Sequence, residues 1–383
     1  MLVFARTAMG FQFQSIASVS PLLIKDLGLD LAMLGALIGA WMLPGVVVSL
    51  PGGLLGQRFG DKRVVLIGLA MMVAGSALVA GADGYALAVA GRAVSGAGAV
   101  LLNVLLTKMV ADWFVDRELA TAMGILVVSW PLGIGLALVL LGPISVATSW
   151  SVAIQLTAWV CAAALLCVAA IYHHPETAHG ADAAPKSAWR TSKHELVLAF
   201  VAGLIWMFYN VGYIVVVSFS PVLLVEKGFD AAGAGIIASF ATWPLIFTIP
   251  IGGALADRTG RSEAIMVICF IAMALAMPFM LAAPSPLVML AIVGLLTGPP
   301  AGIIMALPAR ALRQESRHLG MGIYFTLYYL GMALLPGMAG WFRDLTKLSV
   351  APLLFGSALL LIAAGCTAVF RRIEGRPADQ IRT

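Results

Sequence analysis

Twelve times along this chain about twenty mostly apolar residues follow one another with almost no charge among them. The runs lie at roughly 2–24, 32–56, 64–82, 85–108, 119–142, 150–172, 196–225, 231–256, 264–282, 286–308, 319–341 and 349–370. A helix rises about 1.5 Å per residue, so about 20 residues cross the ~30 Å hydrocarbon core of a bilayer. The runs are continuously apolar and do not alternate, which argues against barrel strands. Helices remain, because they satisfy their backbone polar groups internally. Composition agrees: 61% of the residues are hydrophobic and 11% charged, against roughly 45–50% and 25% in soluble domains. The first 25 residues lack a basic leader and a cleavage site, so they read as the first span and not as a signal peptide. Cys161, Cys167, Cys269 and Cys366 all sit inside apolar runs without CxxC spacing and read as packing residues.

Basic residues orient the spans. With the N-terminus inside, eighteen of the 23 Lys and Arg fall on the cytoplasmic side, four on the other, and Arg92 lies within a span. That asymmetry predicts a multi-pass protein of the inner or plasma membrane with both termini cytoplasmic. The net charge of +5 reflects these loops, and no basic and aromatic patch suggests nucleic acid as a partner. The one long polar stretch divides the chain into an N-terminal six-helix bundle (1–172), a cytoplasmic linker (173–195), a C-terminal six-helix bundle (196–370) and a tail (371–383). The linker histidines His173, His174, His179 and His194 lie near Glu176 and Asp182. Their spacing suits a solvated loop better than a metal site, so neither a metal nor a cofactor is expected.

A shift of 200 residues lays the second half on the first. Pro21 meets Pro221, Gly28 meets Gly228, Asp30 meets Asp230, Gly35 meets Gly235 and Pro44 meets Pro244. Gly52, Gly53, Arg58 and Gly60 meet Gly252, Gly253, Arg258 and Gly260. The match reaches polar loop positions, which shared use of Gly and Pro in membrane helices does not predict. Such a duplication implies two six-helix bundles with a cavity between them near the midplane. GxxxG spacings at Gly35/Gly39, Gly52/Gly56 and Gly294/Gly298 predict close helix contacts.

The segment GGALADRTGR (Gly252 to Arg261), with its counterpart GGLLGQRFGDKR (Gly52 to Arg63), resembles the loop signature of the major facilitator superfamily. RAVSGAGA (Arg92 to Ala99) looks like that superfamily's fourth-helix signature, and SWPLGIG (Ser129 to Gly135) echoes its fifth. The resemblance covers the whole chain. It implies an all-α polytopic fold of 12 transmembrane helices in two pseudo-twofold bundles, working by alternating access. It also implies a cytoplasmic conformational latch, onto which Gln57, Arg58, Asp257, Arg258 and Arg261 map. An acid at a helix end can meet a neighbouring helix dipole, and an Arg can pair with it. Because Gln57 stands where the first half would carry the Asp, the second-half latch is expected to dominate.

Charge within a membrane is costly, which makes Arg92 the leading candidate for solute binding. It could attract an anionic or strongly polar solute, or stand as a post hydrogen-bonded to helix one. Gln14 and Ser18 share a face of helix one at similar depth. Arg6 reads as a cytoplasmic-edge anchor. Aromatic and polar residues cluster on spans expected to face the cavity: Trp130, Asn210, Tyr213, Tyr324, Tyr328 and Tyr329. They combine apolar faces with hydrogen-bonding tips, although packing and lipid-interface roles are open to each. A shift of 198 pairs Trp130 with Tyr328. No Asp or Glu falls in mid-span.

RTAMGFQFQS (Arg6 to Ser15), SWPLGI and YYLGMALLPGMAGW (Tyr328 to Trp341) look like the superfamily branch of cyanate and related small-anion permeases. The expected function is therefore secondary transport of a small organic or inorganic anion or polar solute by a monomer in the lipid bilayer. Efflux of toxic apolar compounds is the alternative, and a non-transporting sensor is a third reading. No nucleophile elbow, phosphate loop or paired carboxylates suggest an enzyme.

Overall fold

The computed structural model describes residues 1–114, 119–173, 192–313 and 317–375. Among the described residues, fifteen helices build twelve passes. The first half holds α1 (Leu2–Ser18), α2 (Ser20–Leu27), α3 (Leu31–Ala40), α4 (Gly45–Phe59), α5 (Asp61–Ala80), α6 (Tyr85–Phe114), α7 (Leu119–Ala147) and α8 (Trp150–Ile171). The second holds α9 (Lys193–Glu226), α10 (Ala231–Ser239), α11 (Leu245–Thr259), α12 (Ser262–Phe279), α13 (Pro286–Ala311), α14 (Arg317–Thr346) and α15 (Ala351–Glu374). Ten stretches are long and apolar enough to cross a membrane. The remaining two passes, α1–α2 and α10–α11, are each interrupted.

The duplicated residues prove to be those that shape the backbone. Asp30 and Asp230 cap the second and eighth passes, accepting from Met33 N at 2.6 Å and Gly233 N at 2.8 Å. Both passes break just ahead of Pro44 and Pro244, between α3 and α4 and between α10 and α11, where proline removes a backbone donor. Gly28, Gly228, Gly60 and Gly260 all take positive φ, at 64°, 98°, 87° and 65°, a region that favours glycine. The duplication is not complete. Pro21 follows a break at Val19, whereas α9 runs unbroken through Pro221.

The halves meet along two seams, α14 against α3 and α4, and α7 against α10 and α11. Both seams are tighter at the end marked by Asp30 and Asp230. There a side-chain carbon on Gly35 would meet the Pro336 carbonyl, one on Gly39 the Ala333 carbonyl, and one on Gly340 the Leu31 carbonyl. Gly235 approaches the Leu138 carbonyl in the same way. These are the small-residue contacts that hold helices together in lipid. A carboxylate reinforces the first seam: Asp344 of α14 accepts from Ala32 N at 2.7 Å, adding a cross-half charge to the N-terminus of α3. Toward the opposite, basic-loop end, α14 packs less against α4 and α7 less against α11 among the described residues.

Two expected boundaries shift. The linker ends earlier than residue 195, because Ser192 caps α9 and Glu195, 6% exposed, closes the capping box. Glu195 also accepts from Arg313 N at 3.0 Å, and His194 meets the Ile373 carbonyl. These two residues are thus anchored and do not belong to a solvated loop. The tail begins later than 371, since α15 continues to Glu374. His174, Glu176, His179 and Asp182 lie outside the described residues.

Candidate functional site

Arg92 is 2% exposed and fully engaged. Its Nε donates to the Leu37 carbonyl at 3.3 Å, and its terminal nitrogens donate to the Gln12 and Phe13 carbonyls at 3.1 and 3.0 Å. The guanidinium also lies 5.9 Å from the Trp41 ring centroid, within cation–π range. A planar fork of donors can tie two helices at once, and here it ties α1 to α3. Its neighbour Gln12 extends the network, donating to the Met72 carbonyl at 2.7 Å and Ser76 Oγ at 2.6 Å, while Trp41 Nε1 donates to Gln12 Oε1 at 3.3 Å. Ser76 Oγ in turn meets Thr157 Oγ1 at 2.7 Å. Gln12, Ser15, Ser76, Arg92 and Ser95 line a narrow crevice inside the first bundle, away from the seams.

Gln14 and Ser18 do not join Arg92. Residues two apart on a helix point roughly 200° apart, so Gln12 faces its own bundle while Gln14 faces the partner half. Gln14 Nε2 donates to the Val217 carbonyl of α9 at 3.3 Å, and its Oε1 is buried without a donor. Ser18 bonds back to the Gln14 carbonyl. Gln12 escaped the sequence reading, although the pattern FQFQ announced two polar residues on opposite faces.

A second arginine occupies the ground between the halves. Arg6 is half-buried on α1, its Nε enclosed without an acceptor. The hydroxyls of Tyr328 and Tyr329 on α14 are near enough to interact with its charge. Tyr329 lies beside the Asn103 amide of α6, and Asn103 Oδ1 is buried without a donor. The ring of Tyr329 occupies the space a side chain on Gly45 would need, so it wedges into the break of the second pass. Trp243 lies against Gly135 of α7 at the other seam. The expectation of Arg6 as an edge anchor therefore misses its cross-half neighbours.

The shift of 200 residues explains the arrangement. It pairs Arg6 with Trp206, as the shift of 198 pairs Trp130 with Tyr328. All four are half-buried. Trp130 packs on Phe13 and Trp41, with ring centroids 5.3 and 6.0 Å away. Trp206 lies 6.0 Å from Tyr328 and stacks on Tyr209 at 5.7 Å and Tyr324 at 6.1 Å. Its indole Nε1 has no acceptor. Asn210 is half-buried and donates to the Trp206 carbonyl at 2.7 Å. Tyr213 and Tyr324 turn inward instead: Tyr213 bonds Thr242 at 3.1 Å, and Tyr324 donates to the Ile304 carbonyl at 3.4 Å. The structure thus brings Tyr328 and Tyr329 to Arg6, and commits Arg92, Gln14, Ser18, Tyr213 and Tyr324 to packing contacts.

At the basic-loop end, the first-half loop signature carries a described ion pair. Asp61, 5% exposed, opens the first turn of α5 and pairs with Lys108 of α6 at 2.7 Å. Lys62 donates to the Ala169 and Tyr172 carbonyls, both at 2.8 Å, at the end of α8. Asp257, Arg258 and Arg261 are exposed, and no ion pair reaches them among the described residues. Arg58 is likewise exposed, over the Phe59 ring. The side chain of Gln57 lies outside the described residues. The carboxylate missing at position 57 is supplied four residues later, where a helix N-terminus and a neighbouring lysine both stabilise it.

The chain resembles known proteins over its whole length. The sequence model of the Major Facilitator Superfamily matches residues 2–336 and 198–382. The uncharacterized transporter YycB of Bacillus subtilis (strain 168) is 25% identical over 373 residues, covering 92% of this chain and 89% of that protein. The inner membrane transport protein YajR of Escherichia coli (strain K12) is 33% identical over 145 residues, covering 35% of this chain and only 31% of its own length. A crystal structure of the nucleoside transporter NupG superposes with a TM-score of 0.71 at 15% identity, over 98% of this chain and 99% of that one. With its breaks, caps and turns repeated in both halves, the chain belongs to the Major Facilitator Superfamily of membrane transporters.

Proposed function

We propose that this protein carries a small anionic or polar organic solute through the cleft between its halves, by alternating access. One observation carries this reading: Arg6, beside tyrosines of the other half, has a buried Nε without an acceptor, and no carboxylate pairs with it among the described residues. A buried cation is costly unless paired, so the site is poised for an anion or a strongly polar acceptor. The acids agree by their placement. Every described Asp and Glu on a helix lies within its first or last turn, which leaves no mid-membrane carboxylate to repel an anion or attract a cation. The seams agree with switching: they are backbone-tight at the Asp30 end and less packed among the described residues at the other, as a carrier closed on one face would be.

By the basic-loop asymmetry the less packed end is cytoplasmic, with both termini on that side of an inner or plasma membrane. The solute then has access from the cytoplasm in this conformation, and the protein works as a monomer. Uptake into proteoliposomes tests the reading. Saturable flux of small organic anions, exceeding that of neutral and cationic compounds of the same size, is the expected result. Flux confined to bulky apolar cations would establish efflux of toxic compounds instead. Labelling single cysteines placed at Asp83 and Arg371 from either side of the membrane checks the orientation.

A further inference from the structure

We propose that Arg6, Asn103, Trp206 and Tyr328 form a subsite for a small organic carboxylate with a flat apolar body. The proposal rests on the transport reading above and names its substrate class and its anchor. Of the two cations buried within the passes, Arg92 has three carbonyl acceptors and an aromatic face. Among the described residues Arg6 has none of these: its Nε is buried without an acceptor, and the phenols of Tyr328 and Tyr329 lie within reach of its charge. A guanidinium presents parallel donors that match a carboxylate in two-point contact.

The surrounding unpaired atoms complete the pattern. Trp206 Nε1 is a buried donor without an acceptor, and Asn103 Oδ1 is a buried acceptor without a donor. Groups left unpaired in an interior are costly and call for an explanation; here Trp206 packs on Tyr328 and the Asn103 amide hydrogen-bonds Tyr329, the two tyrosines whose phenols interact with Arg6. Donors thus outnumber acceptors, as an anion requires. Trp206 and Tyr324 lie nearly parallel, with an 18° interplanar angle, and together with Tyr328 they offer a ring wall that favours a flat apolar body over a compact hydrated ion. The pseudo-symmetric positions strengthen the assignment. Arg6 and Trp206 occupy the same place on the leading helix of each half, so the duplication sets charge on one side of the cleft and a stacking face on the other.

Binding to the purified protein in nanodiscs tests this, with benzoate as the probe and benzamide, benzylammonium and acetate as comparators. Benzoate is expected to bind saturably, and at least tenfold tighter than benzamide or acetate. Arg6→Gln should weaken benzoate about tenfold to a hundredfold, down to the level of benzamide, with the thermal midpoint retained. Tyr328→Phe should weaken it by a smaller factor, and Arg6→Lys should restore part of the loss. Benzoate binding no tighter than benzamide, or unchanged in Arg6→Gln, overturns the subsite. Should Arg6→Gln fail to fold, the comparison of benzoate with benzamide on the unmodified protein decides. Anion flux that persists in Arg6→Gln sinks the subsite and leaves the transport reading intact. Benzoate binding without flux of any organic anion does the opposite.

Discussion

The two halves share a backbone plan and differ in what fills it. Where the first half carries Gln12, Trp41 and Arg92, the second carries Gly212, Ala241 and Ile292. Where the second carries Tyr209 and Tyr213, the first carries Met9 and Phe13. The first bundle is therefore tied by a guanidinium and an amide reaching across α1, α3, α5 and α6. The second is tied by phenols donating to neighbouring helices, with Tyr209 on the Thr297 carbonyl at 2.7 Å. Glycines, prolines and capping aspartates recur because they set turns and breaks that both halves need. Interior polar groups need not recur, because any arrangement that satisfies them internally serves equally in lipid. The difference also polarises the meeting of the halves, with Arg6 on one side and Tyr328 and Tyr329 on the other.

The sharpest test of this contrast is to empty equivalent positions. Arg92→Ala should cost about 3 kcal/mol or more, since it removes a charged group that bonds three carbonyls on two helices. Ile292→Ala, partly buried, should cost about 1–2 kcal/mol. Thermal unfolding of the detergent-solubilised variants reads the gap, and equal losses would mean that the two bundles are held in the same way. Arg92→Lys should rescue little, because one ammonium cannot span the three acceptors.

A smaller effect is expected at the closed seam. Gly340→Val would push a side chain into the Leu31 carbonyl, whereas a side chain on Gly253 meets open space. The first substitution should cost about 1–3 kcal/mol of seam packing and raise the labelling of cysteines placed at the Asp30 end. Gly253→Ala should leave labelling unchanged. No increase in labelling for Gly340→Val would show that this seam does not hold the end shut.

The smallest expected effect separates the two loop signatures. Asp61→Asn breaks a pair whose lysine is half-exposed, so its cost should be only about 1 kcal/mol, read as a lower thermal midpoint. Asp257→Asn, on an exposed residue with no ion pair among the described residues, should leave the midpoint in place. A larger drop at Asp257 would show that the second-half latch dominates, as the sequence leads one to expect.

Much of this architecture was legible before any coordinates. The apolar runs gave the passes, the shift of 200 gave the halves, and Asp30, Gly28 and Pro44 turned out to cap, turn and break where their chemistry requires. The site was less legible. The sequence left Arg92 open between a solute-binding charge and a post on helix one, and its bonds to the Gln12 and Phe13 carbonyls are those of a post. Arg6 was discounted for its place near the chain's start, yet it faces the other half. The same ambiguity hid Gln12 behind Gln14.

What the sequence alone determined is the number of passes, their duplication and the points where the backbone bends, because lipid forces every apolar run to satisfy its own hydrogen bonds and only certain residues permit a turn or a break. What tertiary structure decided is which way each polar side chain points. A soluble helix marks its inner face with an apolar stripe, but these helices are apolar nearly all round. Only packing against neighbours reveals whether an arginine is already bound by carbonyls or still waits in the cleft for an anion.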